Sequence, residues 1–140
     1  MSQPFKEHGE TRIIDCSLPG IVHLQMQGPW NAELIAHSDR LIDGQKALLD
    51  ENQAWALLVE VVGSALCTQE ALQAMHLHAS LAQRRVATAW VLAPSVEGHR
   101  IMAFMLRETY AHLHGAMDIF ADCPTALLWL QSQLAKTGAP

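Results

Sequence analysis

The segment Trp55-Ala56-Leu57-Leu58-Val59-Glu60-Val61-Val62 is the most apolar stretch of this 140-residue chain, and it decides the fold. Eight consecutive residues rich in Leu and Val, followed at once by Gly63, are typical of a strand in the middle of a sheet. Residues 86–93 form a second apolar run, which Pro94 ends, and residues 117–121 form a short third run. Helical patterns separate the three runs, so the sequence predicts an α/β domain with neighbouring parallel strands.

Two further apolar segments precede the central strand. Residues 11–16 and 20–27 are joined by Ser17-Leu18-Pro19-Gly20, whose Pro-Gly pair is a turn signal. We therefore expect a hairpin of two antiparallel strands at the start of the fold. The second strand alternates strictly between an apolar and a polar set: Val22, Leu24 and Met26 against His23, Gln25 and Gln27.

Four segments have the spacing of amphipathic helices. In residues 31–50, Asn31 is the expected N-cap, and apolar pairs recur every seven residues. The members expected to pack on the sheet are Leu34, Leu41 and Leu48. The second helix is expected to begin after its cap Thr68 and to run to about residue 84. The third is expected to cover residues 97–114, and its inward-facing residues are Ile101, Met102, Met105, Leu106 and Leu113. The fourth begins at Cys123-Pro124, because proline suits the first helical turn.

Together these elements predict one α/β domain over residues 11–135. It has a single mixed sheet of about five strands, with a β-hairpin start and an αβαβαβα continuation. Residues 1–10 are expected to be a flexible arm and residues 136–140 a flexible tail. Counting by two along the central strand places Glu60 opposite the wholly apolar set of Leu57, Val59 and Val61. We therefore expect helices mainly on one face of the sheet and a partly polar opposite face.

The composition excludes several classes of protein. Half of the residues are hydrophobic and 16% are charged, which is typical of a folded domain with a real core. The formal net charge of −5 and the scattered Lys and Arg residues argue against nucleic acid as a partner. No apolar stretch approaches the ~20 residues of a membrane span, and residues 1–8 lack the apolar core of a signal peptide. The widely separated Cys16, Cys67 and Cys123 indicate free thiols in a reducing cytoplasm.

Four features of the sequence carry a resemblance to a known family. They are the strand leading into Gly28-Pro29-Trp30-Asn31, the central strand, the Arg84-Arg85-Val86-Ala87 entry to the next strand, and Ile119-Phe120-Ala121-Asp122 before Ala126-Leu127-Leu128-Trp129-Leu130. In these features and in its length, the chain resembles the STAS fold, and specifically its SpoIIAA-like branch, over about residues 11–135. Members of that branch include anti-sigma-factor antagonists and many small bacterial proteins of unassigned role.

The resemblance implies a non-enzymatic, cytoplasmic protein that binds or regulates a partner protein. Phosphorylatable antagonists carry Asp-Ser-x-Gly where a helix begins after the central strand, and the matching stretch here is Cys67-Thr68-Gln69-Glu70. Because that Asp and that Gly are absent, we expect Thr68 to cap a helix rather than to accept phosphate. The alternative interpretation is a binder of a small apolar ligand or lipid, since the related Sec14-type domains hold such ligands. A pocket between residues 102–106 and the sheet, lined by methionines such as Met102, Met105 and Met117, would favour it.

Five residues are candidates for binding a partner: Trp30, Glu60, Ser64, Thr68 and Trp90. A carboxylate within an apolar strand costs free energy unless it is solvated or paired, so Glu60 marks either an open sheet face or a functional surface. In the first interpretation the face is open to water or covered only by the N-terminal arm, and in the second Glu60 forms the floor of a binding or self-association surface together with His23 and Thr88. Large residues on the same side would make it too apolar to stay bare. A homodimer or a partner contact is therefore expected near Trp30, Leu58 and Trp90.

Catalytic and metal sites are not expected. The pairs His76/His78 and His112/His114 are each two residues apart on helices, so their side chains diverge by about 200° and cannot hold one ion together. Cys67 precedes a helix start, but the sequence offers no positioned base, which favours an inert thiol. Gly63-Ser64 follows a strand, as phosphate loops do, yet the glycine-rich phosphate motifs are absent. We predict no enzyme activity, no cofactor and no stoichiometric zinc or iron.

Overall fold

Five strands and four helices alternate through residues 9–14 and 18–137, which are the residues that the structure, a computed structural model, describes. In chain order they are β1 (Glu10–Ile14), β2 (Ile21–Gln27), α1 (Ala32–Lys46), β3 (Trp55–Val62), α2 (Gln69–Leu81), β4 (Arg85–Val91), α3 (His99–Tyr110), β5 (Ala116–Phe120) and α4 (Cys123–Ala135). The predicted order, a hairpin start followed by alternating helices and strands, is confirmed. The central strand β3 has the bounds that the sequence predicts.

The strands lie side by side in the order of the sequence, β1-β2-β3-β4-β5. β1 pairs antiparallel with β2, and the three other pairings are parallel. Each parallel crossover moves one strand in the same direction, and such crossovers are right-handed, so α1, α2 and α3 lie on one face of the sheet. α4 follows the edge strand β5 and packs on the opposite face, against β3, β4 and β5. The predicted mixed sheet with helices mainly on one face is therefore confirmed.

The two faces of the sheet have different cores. The first face, under α1, α2 and α3, is packed with large side chains, among them Leu24, Ile35, Leu57, Val59, Met102 and Leu106. The second face, under α4, carries Leu58 between the small residues Ala56, Ala87 and Ala89. Small side chains leave room for a helix to approach closely, and Ala126 and Leu130 of α4 are fully buried there.

Side-chain caps begin three of the helices. Asn31, Thr68 and Asp122 each accept a hydrogen bond from the backbone N–H three residues later, at 2.8, 3.1 and 2.8 Å. Each of these bonds satisfies a donor that the first helical turn leaves unpaired. The caps predicted at Asn31 and Thr68 are confirmed, and Pro124 lies in the first turn of α4 as expected.

The first helix ends earlier than the sequence predicts. α1 stops at Lys46, and residues 47–52 form turns that lead to β3. Leu48 therefore lies outside the helix and is 78% exposed, so its predicted packing on the sheet is wrong. Leu34 is buried as predicted and Leu41 is half-buried. The buried stripe follows the 3.6-residue period rather than a strict seven-residue repeat: Leu34, Ile35, Ser38 and Ile42.

The second and third helices are also shorter than predicted. α2 ends at Leu81, because the next residue, Ala82, has an extended backbone with ψ of 127°. Arg84 then adopts a left-handed conformation with φ of 59° before the chain enters β4. In α3, Met102 and Leu106 are buried as predicted. Ile101 is 61% exposed, and its predicted inward orientation is wrong because it projects about 100° around the helix from Met102.

The predicted arm and tail fall mainly outside the described residues. Residues 1–8, 15–17 and 138–140 are not described, and they include Cys16 of the predicted first strand. Gly9 and Glu10 do not belong to an arm, since Gly9 N donates a 2.7 Å hydrogen bond to Pro29 O and Glu10 begins β1. None of the helices in the described residues combines the length and apolar character needed to cross a bilayer.

Candidate functional site

The two tryptophans predicted to lie on a binding surface are buried in the first-face core. Trp30 and Trp90 are 1% and 3% exposed, and their ring centroids lie 6.1 Å apart. Such a tilted aromatic pair is a packing contact, worth about 0.5–1.5 kcal/mol beyond the area it buries. The predicted homodimer or partner surface near Trp30, Leu58 and Trp90 is therefore wrong, because all three side chains are buried and cannot contact a partner.

The strand register explains why that surface does not form. In the parallel pairing of β3 with β4, Thr88 lies beside Leu57 and Trp90 beside Val59. Neighbouring side chains in register point to the same face, so Thr88 and Trp90 belong to the first face. Leu58 lies on the second face, beneath α4. The prediction that Thr88 shares a face with Glu60 is wrong, because Glu60 pairs with Val91 and Thr88 is three residues from Val91 on the opposite face of β4.

The loop after β3 is tied closely to two neighbouring segments. Gly28 N donates to Ser64 O at 2.8 Å, and Trp30 N donates to Leu66 O at 2.7 Å. A Cβ atom at Gly28 would lie 2.5 Å from Ser64 O, so only glycine permits this approach. Ala65 N donates to Glu97 O at 2.8 Å, which joins the same loop to the segment before α3. The carboxyl ends of β2, β3 and β4 thus form one hydrogen-bonded platform.

Three large apolar side chains are exposed beside this platform, one on the loop after β3 and two on α3. Leu66, Ile101 and Phe104 are 45%, 61% and 56% exposed. A Cβ atom built on Gly98 would be 3.1 Å from Leu66 Cδ2 and 3.9 Å from Ile101 Cγ2, so these two side chains flank the start of α3 together. Phe104 is one helical turn after Ile101 and shares its face of α3. We call these three residues the apolar patch.

Ser64, Cys67 and Thr68 border the apolar patch, and each has a local structural role. Ser64 Oγ accepts a 3.1 Å hydrogen bond from Leu66 N, and Thr68 Oγ1 accepts one from Ala71 N. Cys67 is half-buried against the first-face core, and burial raises the pKa of its thiol. A protonated thiol is a poor nucleophile, which is consistent with the predicted inert cysteine.

The second face of the sheet carries a row of polar side chains beside the first turn of α4. His23 Nε2 and Glu60 Oε1 are 3.2 Å apart, and Gln25 Nε2 donates to the same Glu60 oxygen at 3.3 Å. Arg12 Nε donates to Gln25 Oε1 at 2.8 Å, so the row continues onto β1. The predicted grouping of His23 with Glu60 is confirmed. We call His23, Gln25 and Glu60, with Cys123 of α4, the polar strip.

Cys123 is the member of the polar strip that α4 contributes, and it contacts the strand residues from the helix side. Burial raises the pKa of its thiol to about 11, and the Glu60 carboxylate, which accepts a hydrogen bond from the thiol, contributes to the increase. Donor atoms of His23, Glu60 and Cys123 all lie within 4.8 Å of one another. The side chains of His23 and Glu60 are 11% and 27% exposed, so this group is half-buried but open to small species. Together they form a group of three side chains whose donor atoms lie close enough to hold one metal ion.

A further polar cluster joins the helices of the first face. His78 Nδ1 lies 3.3 Å from Asp39 Oδ1, and His78 Nε2 lies 3.3 Å from Asp43 Oδ1, which links α2 to α1. Burial raises the pKa of Asp39 to about 6, although the nearby His78 acts in the opposite direction. Asp39 and His78 line a cavity of about 30 Å³ together with Arg85 and Tyr110. Since one water needs roughly 10–15 Å³, the cavity has room for about two waters.

The paired histidines of the sequence do not converge in the structure. His76 is exposed, whereas His78 on the same helix is held by the two aspartates of α1. His112 and His114 are both exposed after the end of α3. The cluster of His23, Glu60 and Cys123 was not predicted. Period-two counting places His23 and Glu60 on one face, but Cys123 joins them only because α4 crosses to the second face.

Comparison with known proteins identifies the fold. No family model matches this chain, and no curated protein matches it. The chain is similar to a crystal structure of an uncharacterized protein of the DUF3478 family, with a SpoIIAA-like fold, from Shewanella loihica PV-4. The two share 15% sequence identity with a TM-score of 0.60, over 93% of this chain and 98% of the other. A likeness at this identity establishes the fold, so the chain has a SpoIIAA-like fold, as its sequence features predict.

Proposed function

Because the chain has the SpoIIAA-like fold, we propose that it is a non-enzymatic regulatory domain that binds a partner protein through the apolar patch. The exposure of Leu66 on the hydrogen-bonded platform, and of Ile101 and Phe104 on the adjoining face of α3, carries this proposal. Clustered exposed apolar side chains on a surface of fixed shape are typical of protein-binding sites. Phenylalanine is among the residues enriched at such interfaces, and it gives the patch a large anchor.

The position of the apolar patch also supports a regulatory role. Ser64 and Thr68, which the sequence indicates as binding residues, border it and would offer hydroxyl groups at its rim. The platform is fixed by backbone hydrogen bonds from three segments, so binding would require little ordering of the loop. A cytoplasmic location is part of the proposal, and the free thiols of Cys67 and Cys123 are consistent with it.

The alternative function, binding of a small apolar ligand, has weaker support. Met102 and Leu106, which would line the expected pocket, are 1% and 0% exposed within the first-face core. The cavity lined by Asp39 and Arg85 has a volume of about 30 Å³, whereas ligand pockets commonly measure about 300–1,000 Å³. Two charged residues in its lining also make it a poor environment for a lipid chain.

The test is affinity capture from an extract of the source organism with wild-type protein and the double variant Ile101→Ser/Phe104→Ser. The matched control is Leu128→Ser, because Leu128 is 69% exposed but lies on α4, on the other side of the sheet. Serine replaces exposed side chains in both variants, so both should fold as the wild type does, as circular dichroism would show. We expect one set of proteins to be retained by wild type and control and lost by the double variant.

Two outcomes would count against the proposal. One is that the double variant retains the same proteins as wild type, since the patch would then not be the binding surface. The other is that the wild type retains only the proteins that an unrelated control protein of equal charge also retains. Light scattering of the same three proteins reports whether the patch pairs two copies of this chain instead.

A further inference from the structure

The polar strip brings three metal-ligating side chains together from three different elements. His23 comes from β2, Glu60 from β3 and Cys123 from the first turn of α4. β2 and β3 lie side by side, and Gln25 is the register partner of Glu60. His23 is two residues before Gln25 on β2, so all three side chains point to the same face. Their relative positions are therefore fixed by the sheet, whereas Cys123 is fixed by the packing of Ala126 and Leu130 on the second face.

The distances between the donor atoms suit a tetrahedral ion. With Zn–N and Zn–O bonds of about 2.0–2.2 Å and Zn–S bonds of about 2.3 Å, tetrahedral donors lie roughly 3.3–3.6 Å apart. His23 Nε2 and Glu60 Oε1 are 3.2 Å apart, and all three donors lie within 4.8 Å. Small movements of the Glu60 and Cys123 side chains toward His23 would bring the three donors to tetrahedral spacing.

The surroundings of the three donors fit a divalent cation. A thiolate and a carboxylate together offer two negative charges, which balance the charge of one divalent ion when His23 is neutral. Gln25 Nε2 donates to Glu60 Oε1, and Gln25 is itself held by Arg12 Nε at 2.8 Å. Such outer hydrogen bonds orient the ligating carboxylate. Three protein donors leave the fourth tetrahedral position for water.

We infer that His23, Glu60 and Cys123 form a binding site for a divalent transition metal ion, with Zn²⁺ as the best match. The mixture of nitrogen, oxygen and sulfur donors favours Zn²⁺ over Mg²⁺ or Ca²⁺, which prefer oxygen donors alone. Binding releases the Cys123 thiol proton to solvent, since the ligand is the thiolate. This site lies on the second face and is independent of the apolar patch, so either proposal stands or fails alone.

The test uses Co²⁺ as a spectroscopic substitute for Zn²⁺ with the untagged, reduced full-length protein. A thiolate bound to Co²⁺ gives an intense charge-transfer absorption in the near ultraviolet, and tetrahedral geometry gives strong visible bands. We expect one Co²⁺ per chain with both signals, and displacement of the Co²⁺ by one equivalent of Zn²⁺. Isothermal titration of the wild type with Zn²⁺ then gives the affinity.

Substitutions assign the ligands. Cys123→Ser should remove the charge-transfer band, and His23→Gln and Glu60→Gln should each weaken Zn²⁺ binding at least about tenfold. The matched controls are Cys67→Ser and Cys16→Ser, which replace the remaining cysteines and should leave the band unchanged. A wild type that binds no Co²⁺ at high micromolar concentration would overturn the proposal without any variant. A band that survives Cys123→Ser in a folded protein would also overturn it.

Discussion

Replacing Leu130 with alanine should lower the free energy of unfolding by about 3 kcal/mol. Leu130 is fully buried on the second face, in the cluster that includes Leu58, Ala56 and Ala89. The substitution removes the equivalent of three methylene groups, worth about 0.8 kcal/mol each, or about 2.4 kcal/mol in transfer free energy. The alanines around the resulting cavity have no long side chains to fill it, so a cavity contribution adds to this loss.

The measurement is urea denaturation of wild type and variant, monitored by circular dichroism. The dependence of the free energy of unfolding on urea concentration must be the same for both proteins. The control is Leu128→Ala on the same helix, where the side chain is 69% exposed and the expected change is below about 0.5 kcal/mol. Both substitutions add the same helix-forming residue two positions apart, so their difference isolates burial. A loss below about 1 kcal/mol for Leu130→Ala, or an equal loss for both variants, would refute the packing of α4 on the second face.

Three further predictions concern the cap of α2, two glycines and the polar cluster that joins α1 and α2. Thr68→Ala should cost about 1 kcal/mol by removing the α2 cap, whereas Thr68→Ser should cost less, as denaturant melts would show. Gly28→Ala should destabilise by about 1–3 kcal/mol, because its Cβ would lie 2.5 Å from Ser64 O. Gly44→Ala, in open space on α1, should instead stabilise by about 0.5–1 kcal/mol, and equal signs for the two glycine variants would contradict this account. The pKa of Asp39 rises from 3.8 to about 6 on folding, so its contribution to stability is greatest below about pH 4 and is lost as the pH rises through 6. In the wild type the free energy of unfolding should therefore decrease by about 1 kcal/mol between about pH 4 and pH 6, after allowance for solvent screening, and Asp39→Asn should remove this decrease. A variant whose thermal melts show the same pH profile as the wild type would exclude this role.

Much of the fold follows from local sequence patterns. β3 has its predicted bounds because eight apolar residues between turn signals leave little choice of conformation. The caps at Asn31 and Thr68 are confirmed because the donors they satisfy lie only three residues away. The helix ends were less predictable: Leu48 continues an apolar repeat, but the chain must turn before β3, and that turn depends on tertiary structure.

The candidate sites depend on contacts that local patterns do not specify. The sequence pattern predicts the wrong face for Thr88 and Trp90, because the register of β4 against β3 is a tertiary property. The His23–Glu60 contact was predictable, since both residues occupy polar positions of strands expected to be neighbours. Cys123 is about 60 residues farther along the chain, and only the crossing of α4 to the second face brings it there. The sequence does not predict the apolar patch, because the helical spacing indicates a core position for Ile101, which is 61% exposed.

The sequential strand order bears on how the nascent chain matures during synthesis. Each strand from β2 to β5 can pair with a neighbour that the ribosome has already produced, so the sheet can grow one strand at a time. α4 is translated after all five strands, and until it docks, the second face of the growing sheet is exposed to other nascent chains and to chaperones. Alanine at positions 56, 87 and 89 keeps the exposed apolar area of this second face small, which lowers its tendency to aggregate before α4 docks.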